Sequence, residues 1–339
     1  MFVDWLRIAH LRCIRSADLR LGSGLVWVAG ANGAGKTTLL EAVYLLDRGR
    51  TFRGRRSGPV TTRGEAATAV AGGVCDSERI RQYRWSSKSG SRDGLGWPFS
   101  RFVGASSFSI VDGDPALRRR FLDWSLFHVE PDARGLWTKL RRLQRQRNAW
   151  LASGGRGRAV WDAPYAEALA GVWARRTAFV ARIDAAFRAL TADLLPVGAL
   201  SVGWRWTGQD RDLAALLEMH RAGDVERGHT FLSPSRGDLL FRSNGTPWSG
   251  SRGENKLAGM LLQLAIQGVV TEATGVRQVV LLDDPYAEVS RAYVAPVIQA
   301  WGGAAEQVIV TSLEPPPDDL AAALDPMMFH VEQGDFLRA

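Results

Sequence analysis

Three short, partly alternating runs open the chain. "WLRIAHLRC" (5–13), "SADLRLG" (16–22) and "LVWVAG" (25–30) each read as a strand, and "GSG" turns between the last two. Residues 37–47, "TTLLEAVYLLD", switch to helical periodicity. Residues 48–114 are rich in Gly, Ser and Arg. Only "ATAVAGGV" and "RIRQYRW" carry strand signals there, which predicts a small antiparallel sheet. From Pro115 the texture changes, and 115–195 show helical spacing with few turn signals. Leu136, Leu140, Leu143, Trp150 and Leu151 fall on one stripe of a helix, with Arg141, Arg142 and Arg145 outside it. "ASGGRGR" at 152–158 breaks that run, and 196–245 mix strand, helix and loop. The end of the chain alternates: helix 252–272, apolar strand 278–283, helix 291–301, strand 306–312. Such alternation builds an α/β core with parallel strands. The pattern predicts one α/β lobe split by an insertion: residues 1–114 form its first part, 115–230 a mainly helical inserted lobe, and 231–339 its C-terminal part.

Composition narrows the class. The 339 residues are 46% hydrophobic and 23% charged, enough to bury a core and inconsistent with disorder. No apolar run reaches the roughly 18 residues of a membrane span, and "MFVDWLRIAH" lacks the layout of a signal peptide. Cys13 and Cys75 stand alone, without metal-ligand spacing, and the five His form no ligand set. A reduced, cytoplasmic protein without a membrane partner is expected. The net charge of +8 suits a polyanionic partner such as DNA. Arginine supplies 39 of the 43 basic residues, leaving Lys36, Lys88, Lys139 and Lys256 as the only lysines. Two of these fall inside the motifs below.

"GANGAGKT", Gly30 to Thr37, matches G-x-x-x-x-G-K-[ST] in full, after a predicted strand and before a predicted helix. Gly30, Ala31, Asn32, Gly33, Ala34 and Gly35 would wrap backbone N–H groups around phosphates, and the helix N-terminus with Thr37 and Thr38 adds favourable partial charge. Lys36 would reach the β- and γ-phosphates of ATP as a point charge, and Thr37 would hold Mg²⁺. "VVLLDDPYAEVS" (279–290) supplies the acids such a site needs. Asp283 would hold the Mg²⁺ shell, and Asp284 stands where a base or orienter of attacking water belongs. Taken alone, that segment reads better as a strand ending in a turn with two solvated carboxylates.

About 30 residues before these acids lies "GSRGENK" (250–256). Ser251 and Glu254 make a capping box for the following helix. In ATP-binding-cassette folds this is also the place of the signature loop, whose helix N-terminus faces the γ-phosphate held by a second subunit. Ser251, Arg252 and Gly253 would then bind ATP in trans.

With these motifs the chain resembles the RecF family of bacterial repair ATPases. The likeness runs through "LRIAHLRCIRSADLRL", "GKTTLLEAVYLL" with Glu41, "RGRTFRG", "DGDPALRRRFLDWSLFHVEP" (112–131), "LRRLQRQRNAWL" (140–151), "SRGENK", "LLDDPYAE" and "FHVEQG". The block Gly113–Leu151 is its most specific part. The resemblance implies an α/β fold: an ABC-type P-loop ATPase lobe with a mixed sheet, antiparallel N-terminal strands and an inserted α-helical lobe. It also implies ATP and Mg²⁺ as cofactors, slow hydrolysis, an ATP-dependent head-to-head homodimer, single-stranded or gapped DNA, and RecR and RecO as mediators in repair and replication. The chain departs from the family pattern at several positions. Glu254 replaces a Gln, Glu288-Val289-Ser290 stands for Glu-Leu-Asp, Ser106-Ser107 replaces an acidic pair, and Pro234-Ser235-Arg236-Gly237-Asp238 replaces Pro-His-Arg-Ala-Asp. These differences bear on dimerisation and turnover more than on nucleotide binding.

Two basic stretches remain. Residues 134–158 hold eight Arg/Lys and no acid, and residues 48–58 hold five Arg. Either is equally a solvated surface. By analogy with related folds the second is preferred as the DNA contact, through Arg50, Arg53, Arg55 and Arg56. The tryptophans of the helical block (Trp124, Trp137, Trp150, Trp161 and Trp173) read as packing residues. Two alternatives stay open. A transporter ATPase subunit is disfavoured, because the strand at 307–317 is followed by no His. A nucleotide-binding DNA scaffold with lost turnover is compatible with Glu254 and Ser290.

Overall fold

The alternation at the start of the chain becomes three strands, β1 (Phe2–Leu11), β2 (Ile14–Arg20) and β3 (Gly24–Ala29). In the computed structural model, residues 1–53, 59–76, 79–89, 92–93, 99–157, 159–209 and 211–338 are described. They form two units. Unit one comprises Met1–Ser109, Leu194–Pro196 and Gly250–Ala339; unit two comprises Ile110–Asp193 and Val197–Ser249.

In unit one the chain continues with α1 (Lys36–Arg48), β4 (Ala69–Asp76), β5 (Arg79–Ser86), β6 (Arg92–Asp93), β7 (Ser100–Val103) and α2 (Ala105–Phe108). The expected small antiparallel sheet is present, but β1 pairs with both β2 and β4. The N-terminal strands therefore join it in one five-stranded sheet, β2-β1-β4-β5-β6. After unit two come α7 (Arg252–Thr274), β11 (Val279–Asp283), α8 (Arg291–Ala304), β12 (Gln307–Ser312), α9 (Asp318–Leu324), β13 (Met327–Glu332) and β14 (Asp335–Arg338). They complete a six-stranded sheet, β14-β13-β3-β12-β11-β7, parallel except for the β13–β14 hairpin. β3, β11 and β12 are covered on both faces, which explains their nearly unbroken apolar sequence.

Helix α1 packs against strands of both sheets. Because it has no free face, ten of its residues are buried, including Leu39, Leu40, Val43, Leu45 and Leu46. Each such side chain contributes roughly 1.5–3 kcal/mol of transfer free energy. Asp47 on the same helix is fully buried; it accepts from the N–H groups of Phe99 and Ser100 and from the Ser100 hydroxyl, and it forms an ion pair with Arg48. Helix α7 is long and apolar enough to cross a membrane, yet nearly all of Leu257–Ile266 is buried within the protein, as in a core helix.

Unit two is built from α3 (Pro115–Val129), α4 (Ala133–Ala152), α5 (Asp162–Leu194), β8 (Leu200–Trp206), α6 (Leu213–Arg227), β9 (Gly237–Ser243) and β10 (Thr246–Pro247); only the last residue of α5 belongs to unit one. The division at 231 expected from the sequence is displaced. Residues 231–249 belong with unit two because β9 pairs with β8 along its whole length, from Gly237 opposite Trp206 to Ser243 opposite Leu200. Buried arginines hold this unit together. Arg118 grips Asp238, Arg176 grips Asp123, and Arg147 spans Asp162 and Asp224. Trp137 and Trp173 are buried, while Trp124, Trp150 and Trp161 are half-buried.

Candidate nucleotide-binding site

The strand order places β12 between β3 and β11, and the three carboxyl ends are level. Asp283 pairs with Thr311, and Thr311 pairs with Val28. In open α/β sheets ligands bind at such carboxyl ends. Here the β3–α1 loop, residues 30–35, emerges beside the end of β11.

Local sterics shape that loop. A Cβ on Gly30 would lie 2.3 Å from the Val331 carbonyl oxygen, so the loop can pass β13 only as glycine. Gly35 caps α1 with φ 121°, a backbone conformation that a residue with a side chain would adopt only under strain. The turn between β13 and β14 braces the loop, with Gly334 N–H donating to the Ala34 carbonyl at 2.8 Å. Ala31, Asn32 and Gly33 face solvent; Ala34, Gly35, Lys36 and Thr38 are buried. The Lys36 ammonium donates to the Gly30 and Ala31 carbonyls at 2.7 and 2.9 Å. Burial lowers its pKa, against the pull of the Asp284 and Asp283 carboxylates.

The two acids are held differently. Asp283 Oδ1 accepts from the Thr37 hydroxyl at 2.8 Å and from the Thr311 hydroxyl at 2.9 Å. Asp284 follows with φ 49°, an uncommon conformation for a non-glycine residue, and its N–H donates to Thr311 Oγ1 at 3.1 Å. Thr311 is thus the hinge pin of the acid pair. Sequence reasoning did not single it out, because a threonine ending an apolar strand looks like any other strand residue. Arg12 was missed as well. It sits at the β1–β2 turn and donates twice, at 2.6 and 2.8 Å, to fully buried Glu41 of α1. Its signal in the sequence was only a buried acid in an otherwise apolar helix.

The capping box at the start of α7 is formed. Ser251 N–H donates to Glu254 Oε2 at 2.7 Å, and Glu254 N–H donates to Ser251 Oγ at 3.3 Å. Ser251 and Arg252 are exposed and Gly253 is half-buried. This end of α7 touches the loop carrying Asp284. Lys256 Nζ donates to the carbonyls of Asp284 (3.1 Å) and Ala287 (2.6 Å) and lies 4.7 Å from the centre of the Phe108 ring. Burial lowers its pKa, opposed by Asp284, Glu288 and Asp283. A β-carbon on Gly253 would stand 3.4 Å from the Glu288 carbonyl oxygen. The structure therefore brings Lys36, Thr37, Asp283 and Asp284 to one place and joins the Ser251 end of α7 to the last of them.

The basic stretch 48–58 is only partly described. Arg50 is exposed, and Arg53 reaches Glu41 at 3.5 Å, so part of its charge is answered within the protein. Arg55 and Arg56 lie outside the described residues.

No His/Cys/Asp/Glu cluster among the described residues makes a metal cage by itself. Thr37 and Asp283 do fit a hard cation, since they present two oxygen ligands in direct contact. Sheet, P-loop, paired acids and capped α7 together define a P-loop ATPase fold of the ATP-binding-cassette class. The AAA domain family matches residues 6–66. The DNA replication and repair protein RecF of Stenotrophomonas maltophilia (strain R551-3) is 32% identical over 99% of both chains. Its counterpart in Xanthomonas axonopodis pv. citri (strain 306) is 32% identical over 100% of this chain and 99% of that one. Among solved structures, the recombination mediator protein RecF-ATP superposes with a TM-score of 0.79 at 19% identity, covering 100% of this chain and 97% of that one. The Smc head domain of Pyrococcus furiosus superposes with a TM-score of 0.53 at 14% identity, covering 99% and 96%. The chain belongs to the RecF family of DNA replication and repair proteins.

Proposed function

We propose that the protein is an ATP-switched DNA-binding protein of replication and recombinational repair. ATP closes a homodimer on single-stranded or gapped DNA, slow hydrolysis releases it, and RecR- and RecO-like mediators act with it. One observation carries the reading: Lys36, Thr37, Asp283 and Asp284 converge at the carboxyl ends of β3 and β11. In this reading Lys36 leaves the Gly30 and Ala31 carbonyls to meet the β- and γ-phosphates, and the N–H groups of residues 31–38 surround them. Thr37 and Asp283 hold Mg²⁺, which supplies charge neutralisation of the triphosphate. Asp284 orients the attacking water. Exposed Ser251, Arg252 and Gly253 complete the γ-phosphate shell of a partner copy, through the free N–H groups and dipole of α7. Arg50 and Arg53 are DNA contacts in this reading, with Arg55 and Arg56.

The test is sedimentation and gapped-DNA binding with no nucleotide, ATP and ADP, for wild type, Lys36→Arg, Ser251→Arg and Asp284→Asn. The expected result is an ATP-dependent dimer that Ser251→Arg abolishes while monomer ATP binding persists. Asp284→Asn should dimerise without releasing. If ATP changes neither mass nor DNA affinity, the switch is refuted.

A further inference from the structure

The sequence run 134–158 is uniformly basic, but the structure divides its cations sharply. Arg147 is fully buried and answered by Asp162, Asp224 and Thr230. Arg134, Lys139, Arg141, Arg142 and Arg145 are exposed on α4. At 3.6 residues per turn, Arg134, Arg141, Arg142 and Arg145 occupy about 100° of the helix surface over a length of roughly 16 Å. The opposite side of α4 carries the buried residues Trp137, Leu140, Arg147 and Leu151.

Several other arginines of this unit meet acids: Arg118–Asp238, Arg176–Asp123, Arg188–Asp184, Arg221–Asp162 and Arg227–Asp224. Among the described residues, Arg141, Arg142 and Arg145 have no ion-pair partner; Arg134 rests on the Phe127 ring at 6.0 Å. Arg141 and Arg145 are four apart and Arg142 and Arg145 three apart, spacings at which like charges destabilise a helix. An uncompensated, aligned row of guanidinium groups matches a row of phosphates. The exposed positions between them are Gly135, Thr138 and Lys139, with no aromatic ring for a base to stack on. That argues for a paired backbone over a single strand.

We infer that Arg134, Arg141, Arg142 and Arg145 form a ridge along α4 that docks on the phosphate backbone of duplex DNA. The inference rests on the DNA-binding part of the proposed function, and it assigns that contact to unit two, in addition to the basic stretch 48–58. The ridge reads backbone, so its contribution is independent of sequence and steeply dependent on salt.

The test compares Arg141→Gln/Arg142→Gln/Arg145→Gln with a control of equal charge loss at scattered exposed positions, Arg15→Gln/Arg205→Gln/Arg211→Gln. Anisotropy of a labelled 30-base-pair duplex, a matching single strand and poly-glutamate is measured from 50 to 200 mM salt on the full chain with ATP. Thermal melts check that both variants fold. The ridge variant should lower the slope of log K against log salt by about 2–3 for duplex, at roughly 0.9 per lost phosphate contact. The control should retain the wild-type slope. Equal losses in both variants would reduce the effect to net charge and overturn the ridge. An unchanged ridge variant, or a loss confined to the single strand or to poly-glutamate, overturns it too while leaving DNA binding intact. Wild type that binds no DNA under any condition refutes the DNA-binding reading itself, and the ridge with it.

Discussion

Arg147→Met is the sharpest perturbation of the frame that orients α4. The guanidinium is fully buried and donates to Asp162 Oδ1, Asp224 Oδ2 and Thr230 Oγ1, each at 2.8 Å. Two hydrogen bonds to carboxylates at roughly 1.5–3 kcal/mol each, and one from the guanidinium to the uncharged Thr230 hydroxyl at about 1.5 kcal/mol, give a gross loss of about 4.5–7.5 kcal/mol. Burying the methionine hydrocarbon returns roughly 1.5–3 kcal/mol. The net is about 3 kcal/mol, at the lower edge of the range for breaking a buried ion pair. It is not larger because Asp162 keeps Arg221, and Asp224 keeps Arg227 and the Phe231 N–H. The measurement is urea unfolding followed by fluorescence of the tryptophans of unit two. Arg147→Met/Asp224→Leu should recover much of the loss, since it removes the stranded charge as well. A change below about 1 kcal/mol would refute the triad as a structural element, because a single ordinary hydrogen bond is worth that much.

Three further outcomes are expected. Lys256→Met frees the carbonyls of Asp284 and Ala287; ATP turnover should fall about tenfold, equivalent to 1.4 kcal/mol, with nucleotide affinity within roughly threefold, while Lys256→Arg retains part of the activity. An equal fall in affinity would assign Lys256 to binding instead. Glu254→Gln keeps an acceptor for the Ser251 N–H but removes its charge, so ATP-dependent dimerisation should strengthen several-fold in sedimentation, less so at high salt. Burial pushes the Tyr286 phenol up to about 12 from 10. The unfolded chain then loses this proton first, so stability falls as pH rises from 10 to 12, and Tyr286→Phe should flatten that limb of a pH–melting curve.

Legibility in the sequence followed locality. The strand–loop–helix that carries Gly30–Thr37 was legible because its glycines, Lys36 and Thr37 are contiguous and the strand and helix around it have clear periods. Asp283 and Asp284 were legible because an apolar strand must end where its acids begin. Thr311, which pins both acids, was not legible, since its role depends on the β11–β12 register, formed across some 28 residues of sequence. The same holds for Arg12, which meets Glu41 only after β1 folds across α1. The boundary at 231 was misplaced because nothing local says that β9 will pair back to β8.

The sequence by itself determined the α/β character, the glycine-rich loop between strand and helix, the acids at the end of an apolar strand and a capped helix at Ser251, all set by short-range pattern and backbone chemistry. Only the tertiary structure decided the fates of Arg145 and Arg147, two residues apart in one basic run. Two positions on an α-helix differ by about 200° in direction. One of these arginines therefore meets Asp162 and Asp224 in a dry core, and the other projects into solvent as a free positive charge. Charge alone does not carry that difference; the packing of α4 against the rest of its unit creates it.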